Sequence, residues 1–164
     1  MIGWIAVAAG ACAILGIIAV VVFGRIRSTL RASRYERARR DFHLCRERLE
    51  AKFFQLAAAS GKPRGLRWTA CDFEDDVSYA RDRRSGELRA FVAVTIGFEA
   101  VEGGGMEHVE AVGNLRAATA EFCLRAGRWE TDGRTIFNLN PTEAIDYYRE
   151  NLEIVARETV GSRR

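Results

Sequence analysis

The sequence predicts an α+β protein. An N-terminal transmembrane helix and helical stalk lead into a curved five-stranded antiparallel sheet, packed by a long helix and a C-terminal helix. Three observations predict it. Ile2–Phe23 holds no charged side chain. The stretch from Ala38 to Leu56 carries apolar residues at helical spacing. From Leu66 to Leu139, apolar and polar residues alternate between turns that contain glycine.

The uncharged run covers 22 residues. As a helix it reaches about 33 Å, enough for a hydrocarbon core of about 30 Å. A cleaved signal peptide is the rival reading. It would need a basic leading segment, a shorter apolar run and a small-residue cleavage site. Here Arg25-Ile26-Arg27 follows the run directly. Arg25, Arg27, Arg31, Arg34, Arg37, Arg39 and Arg40 all lie after it. Positive charge is retained on the cytoplasmic side, so the expected location is the cell membrane: single-pass, N-terminus out, C-terminal domain in the cytoplasm. Trp4 would anchor the outer interface. Gly3, Gly10 and Gly24, with Ala6 and Ala13 between them, make a small-residue stripe through which spans could pair.

The expected division is a transmembrane anchor at 1–24, a basic juxtamembrane stalk at 25–40, a cytoplasmic α+β domain at 41–160 and a basic tail at 161–164. The net charge of +3 hides an asymmetry. Residues 25–52 carry ten Lys/Arg against four Asp/Glu, and the remainder carries 15 against 18. The basic excess is therefore membrane-proximal, and anionic lipid headgroups meeting Arg25–Arg40 explain it. Nucleic-acid binding would want a basic face with interleaved aromatics on the domain itself, so no nucleic-acid partner is expected. The cysteines, Cys12, Cys45, Cys71 and Cys123, form no CxxC pair, and the only histidines are His43 and His108. No metal or other cofactor is expected. Free thiols suit a reducing compartment.

A long helix is expected over Thr29–Ser60. Its face reads Ala38, Phe42, Cys45, Leu49, Phe53, Leu56, and Glu36 stands four residues before Arg40 as a supporting pair. Gly61 and Pro63 end it. Strands are expected at Leu66–Phe73, Val77–Arg83, Glu87–Val101, Val109–Arg125 and Arg128–Leu139. Arg83-Arg84-Ser85-Gly86 and Ala126-Gly127 are the turns, and Gly103-Gly104-Gly105 is a tip. Glu74-Asp75-Asp76 reads as a turn of solvated acids; it lacks the alternating ligands and central glycine of a calcium loop. Gly97, Gly113 and Gly133 fall inside strands, where glycine marks bulges and bends, and folding about Gly104 would set Gly97 opposite about Ala111. Asn140 caps a last helix, with Pro141 first in it and Glu143 as capping-box partner. Ala144, Tyr148, Leu152 and Val155 are its expected buried stripe, and Gly161 its end.

In Phe122-Cys123-Leu124-Arg125-Ala126-Gly127-Arg128-Trp129, a hairpin turn carries glycine, then a basic residue, then Trp. With the order of long helix, curved meander and terminal helix, the chain resembles the cone-shaped α+β superfamily of nuclear transport factor two, ketosteroid isomerase and scytalone dehydratase, over roughly a hundred residues. It departs in having less helix before the sheet and a helix after the last strand. A cystatin-like fold, one helix wrapped by a curved sheet, is the near alternative. The resemblance implies either an enzyme with an acidic base or Asp–His pair inside the cone, or a pure binding or assembly module.

Asp72, Glu99 and Glu121 are the strand carboxylates beside apolar neighbours. With Trp68 and Tyr79 they make the candidate pocket. No partner spacing gives any of them a catalytic role, so none is assigned one. Lys62, Arg64 and Arg67 are candidate anion contacts in a linker whose glycine spacing is not that of a P-loop. The function expected is a membrane-tethered, non-catalytic binding or assembly module whose partner is the same chain or another membrane protein. The alternative is a cone-fold small-molecule enzyme or ligand carrier at the membrane.

Overall fold

A computed structural model describes residues 2–60, 64–106, 109 and 113–159, with side chains at 23, 25 and from 32 onward. The chain divides into two compact units, Met1–His43 and Leu44–Arg164. The element order is α1 (Ile2–Ala59), β1 (Leu66–Asp82), β2 (Leu88–Ala100), β3 (Arg116–Arg125), β4 (Arg128–Glu130), β5 (Thr135–Phe137), α2 (Pro141–Tyr147) and β6 (Leu152–Glu158). The class is α+β, with one long helix, a six-stranded antiparallel sheet and a short C-terminal helix. The strands run in the order β4-β3-β2-β1-β6, and β5 also pairs with β3.

In the first unit, Glu36 pairs with Arg39 at 2.8 Å rather than with Arg40. The predicted span falls almost wholly on residues whose side chains lie outside those described. Among the described residues, no helix is long and apolar enough to cross a membrane.

In the second unit, the expected helix face continues into packing against the sheet. Leu49, Phe53 and Ala57 are buried, whereas Leu56 is 38% exposed. Phe53 seats its ring among Phe73, Phe122 and Trp68, at centroid distances of 5.6, 5.9 and 6.4 Å. Trp68 meets Phe98 edge-on at 5.4 Å. Along β2, the alternation Leu88, Ala90, Val92, Val94, Ile96, Phe98 forms this helix-covered face, and all six are buried. The opposite face has its own smaller cluster of Ala80, Phe91, Ile136, Ala144, Ile145 and Leu152, which α2 covers. Both faces of β2 are thus shielded, as its near-continuous hydrophobicity predicts.

Several boundaries differ from expectation for physical reasons. Leu66–Phe73 and Val77–Arg83 are not two strands. They are one strand, β1, with a register shift between Phe73 and Val77. Glu74-Asp75-Asp76 is a bulge, not a turn. The Arg46 guanidinium holds it by donating to the carbonyls of Glu74 and Asp75, the latter at 3.0 Å. β3 begins only at Arg116, where it pairs with Ile96, so Gly113 lies outside the strand; Ala111, expected opposite Gly97, lies outside the described residues. Gly97 does sit at a bulge: β1 shifts register between Trp68 and Ala70, and a Cβ at Gly97 would meet Thr69 Oγ1 at 3.0 Å. The expected last strand is instead two short ones, β4 and β5, both on β3. Gly133 interrupts them.

The helix after Asn140 has the predicted capping box, but it stops at Tyr147. Leu152–Glu158, expected as its continuation, is β6 on the edge of β1, pairing from Asp82–Leu152 to Val77–Glu158. Ile154-Val155 is β-branched, and an available strand edge outweighs weak helical periodicity. Tail residues 161–164 lie outside those described.

Two positions give direct tests. Ala126 and Gly127 form a two-residue hairpin turn between paired Arg125 and Arg128, with φ of 48° and 76°. Left-handed backbone costs alanine roughly 1 kcal/mol, and asparagine is preferred there. Ala126→Asn should raise the urea midpoint, by an equivalent of about 0.5–1 kcal/mol. Gly133 has φ of +72°, and a Cβ there would lie 2.7 Å from the Ala57 amide nitrogen. Gly133→Ala should destabilise by at least about 1–2 kcal/mol, since strain and a backbone clash add.

Candidate functional site

The structure does not gather the five pocket candidates. Trp68 and Tyr79 are buried on the helix-covered face. The Tyr79 hydroxyl donates to Glu158 at 3.2 Å. Asp72 and Glu99 are exposed. Glu99 accepts from Arg67 at 2.7 Å, so that candidate anion contact already has a carboxylate partner. Arg64 is exposed, and Lys62 and His108 lie outside the described residues.

Glu121 is different. It stands opposite Phe91 on the α2 side of the sheet and is only 3% exposed. Arg89 Nη1 donates to its Oε1, while Arg89 Nη2 reaches Asp82 at 2.7 Å. Arg134 Nη1 lies 2.9 Å from Glu121 Oε2, but without an aligned hydrogen bond. The Arg134 guanidinium also lies over the Tyr148 ring at 5.0 Å. Thr131 Oγ1 donates to the Glu121 carbonyl at 3.1 Å. One carboxylate is therefore flanked by two guanidiniums and a second carboxylate behind them. Sequence reading found Glu121 but not Arg89 or Arg134. The alternating pattern of β2 places Arg89 among apolar positions, and a buried arginine needs a buried partner.

Local charges follow from this wiring. Burial pulls the Arg89 guanidinium down, but the hydrogen bond and charge of Glu121 more than offset it, so it ends above its ordinary value. The Asp82 carboxyl is held below its usual range, chiefly by the Ser85 backbone amide. Asp82 also accepts from the Arg84 amide at 2.9 Å, so this residue ties the β1–β2 turn to the Glu121 cluster. Burial, reinforced by Glu121, pushes the Cys123 thiol up to about 11. A neutral thiol at physiological pH is a poor nucleophile.

A second feature is an open groove of about 410 Å³ between α1 and β1, lined by Glu47, Glu50, Phe54, Thr69, Cys71 and Phe73 among others. Burial first, then the charges of Asp72 and Glu50, pushes the Cys71 thiol up to about 12. Glu47 and Glu50 make the helix side of the groove acidic. Among the described residues, no group of His, Cys, Asp and Glu could hold a metal ion.

No protein-family model matches this chain, and no curated protein or solved structure matches it either.

Removing Glu121 would leave Arg89 largely buried with half of its carboxylate contacts gone. Glu121→Ala should cost about 3 kcal/mol in chemical denaturation, whereas Glu121→Leu combined with Arg89→Met should cost clearly less, because neither charge is then stranded. Asp82 sets a pH dependence of known sign. A carboxyl whose folded pKa is depressed contributes stability above its unfolded value of about 3.9 and loses it as pH falls through the folded value. Asp82→Asn should therefore be less stable than the native chain at pH 6, with the gap closing on acidification below about pH 4.

Proposed function

We propose that this chain is a membrane-tethered binding or assembly module without catalysis, with the cone-like geometry of the superfamily it resembles. The observation that carries this reading is how the helix-covered face is filled. Phe53, Trp68, Phe73, Phe98, Phe122 and Phe137 contact one another there at centroid distances of 5.4–6.5 Å. An enzyme of the kind the resemblance implies would need that space open, with its acidic base inside. The one buried strand carboxylate among the candidates, Glu121, lies on the other face with Arg89 and Arg134 against its oxygens.

The uncharged run at Ile2–Phe23 and the arginines that follow it support a single-pass anchor with its N-terminus out and the domain in the cytoplasm. Arg25–Arg40 suits contact with anionic headgroups. Tethering to one surface raises the effective concentration for a partner in the same membrane, whether a second copy or another protein.

Co-isolation from detergent-solubilised membranes tests the reading. A specific membrane partner or homodimer should be recovered with the full chain and lost without residues 1–40. A strictly monomeric protein that captures a metabolite within the sheet would overturn it and favour the ligand-carrier or enzyme alternative. Protease protection on sealed vesicles tests topology: digestion of the domain from the outer side contradicts it.

A further inference from the structure

β1 is paired unequally along its length. Val77–Asp82 lies between β2 and β6, but β6 ends at Glu158 opposite Val77. The 74–76 bulge intervenes, and beyond it Thr69–Phe73 has β2 on one side and, among the described residues, no strand on the other. Thr69, Ala70 and Asp72 are exposed, and Cys71 and Phe73 half-buried. The open side borders the groove that α1 lines with Glu47, Glu50, Ala51 and Phe54. An unpaired strand edge beside an apolar-floored groove is the arrangement that accepts an added strand: main-chain bonds supply affinity and alternate side chains enter the groove.

The occupant follows from charge. Glu47 and Glu50 stand on the helix side, Asp72 on the edge, and Glu74, Asp75 and Asp76 just beyond it. Arg46, which reaches into this group, is already bound to Glu50 at 2.6 Å and to the bulge carbonyls. Edge-to-edge pairing of two copies would set these carboxylates against their own equivalents, which disfavours a second copy. We propose that the edge of β1 at Thr69–Phe73 that no described strand pairs, with the acidic groove beside it, takes up an extended, basic segment of a protein partner as an added strand. Such docking presupposes the binding-module reading above and names its surface.

The test uses full-length protein in nonionic detergent micelles and a fluorescein-labelled acetyl-(Lys-Val)4-amide peptide. Saturable binding by anisotropy is expected, with new hydrogen-exchange protection at the amides of residues 69–73. A (Lys-Pro)4 peptide of equal charge, which lacks half the backbone donors, should bind at least about tenfold more weakly, as should the lysine–valine peptide to the Glu47→Lys/Asp72→Lys variant. Both substituted side chains are exposed, and folding of the variant is checked by circular dichroism. Equal binding of the proline peptide would reduce the interaction to charge alone and overturn the assignment. Protection appearing elsewhere, or a dimer that protects residues 69–73 without peptide, would also overturn it. If co-isolation yields a specific partner while the peptide fails to bind, the edge assignment falls and the module reading stands.

Discussion

The burial of Phe53 against the sheet is the contact on which the second unit depends. A single helical ring enters a ring-lined hollow made by β1 and β3, and truncating such a side chain typically costs about 3–5 kcal/mol. Phe73 and Trp68 come from the half of β1 that, among the described residues, has β2 as its strand neighbour. This half is held by aromatic packing on one face as well as by its ladder with β2. The helix therefore does for Leu66–Phe73 what β6 does for Val77–Asp82.

The two faces of the sheet solve different problems. The α1 side is apolar and ring-packed. The α2 side is smaller and carries the Glu121–Arg89–Asp82 cluster at its margin. Buried ion pairs seldom add much net stability, but each fixes the position of its partners, because a displaced charge would be stranded. Here the wiring joins the β1–β2 turn, the middle of β3 and the segment after Gly133.

What the sequence revealed and what it concealed divide along physical lines. The helical spacing through Leu49 and Phe53, the strict alternation of Leu88–Phe98, the Ala126-Gly127 turn and the Asn140 capping box are local signals, and each appears where expected. The failures are all decided by distant partners. Glu74-Asp75-Asp76 looks like a turn until Arg46, some thirty residues earlier, is seen to hold it as a bulge. Leu152–Glu158 shows apolar positions compatible with either period, and only the open edge of β1 selects the strand. Glu121 could be nominated from its apolar neighbours, but its two arginines lie 32 and 13 positions away and share no local pattern with it. Asp72 and Glu99 were indistinguishable from Glu121 by composition, and the register puts all three on the same face of the sheet; what separates them is burial, which depends on partners remote in sequence.

The bulge in β1 also makes one continuous strand into two lengths of different durability. Amides of Val77–Asp82 sit inside the sheet, and releasing them requires β2 or β6 to part from them. Those of Leu66–Phe73 are, among the described residues, bonded into the sheet through β2 alone. Regions with fewer neighbours open at lower free energy than the whole molecule. Thermal agitation should therefore peel this strand from its leading end while its trailing end stays closed, with the Arg46 fork as the point where the peeling stops. A strand built this way behaves less as a rigid rod than as a zip with a fixed stop.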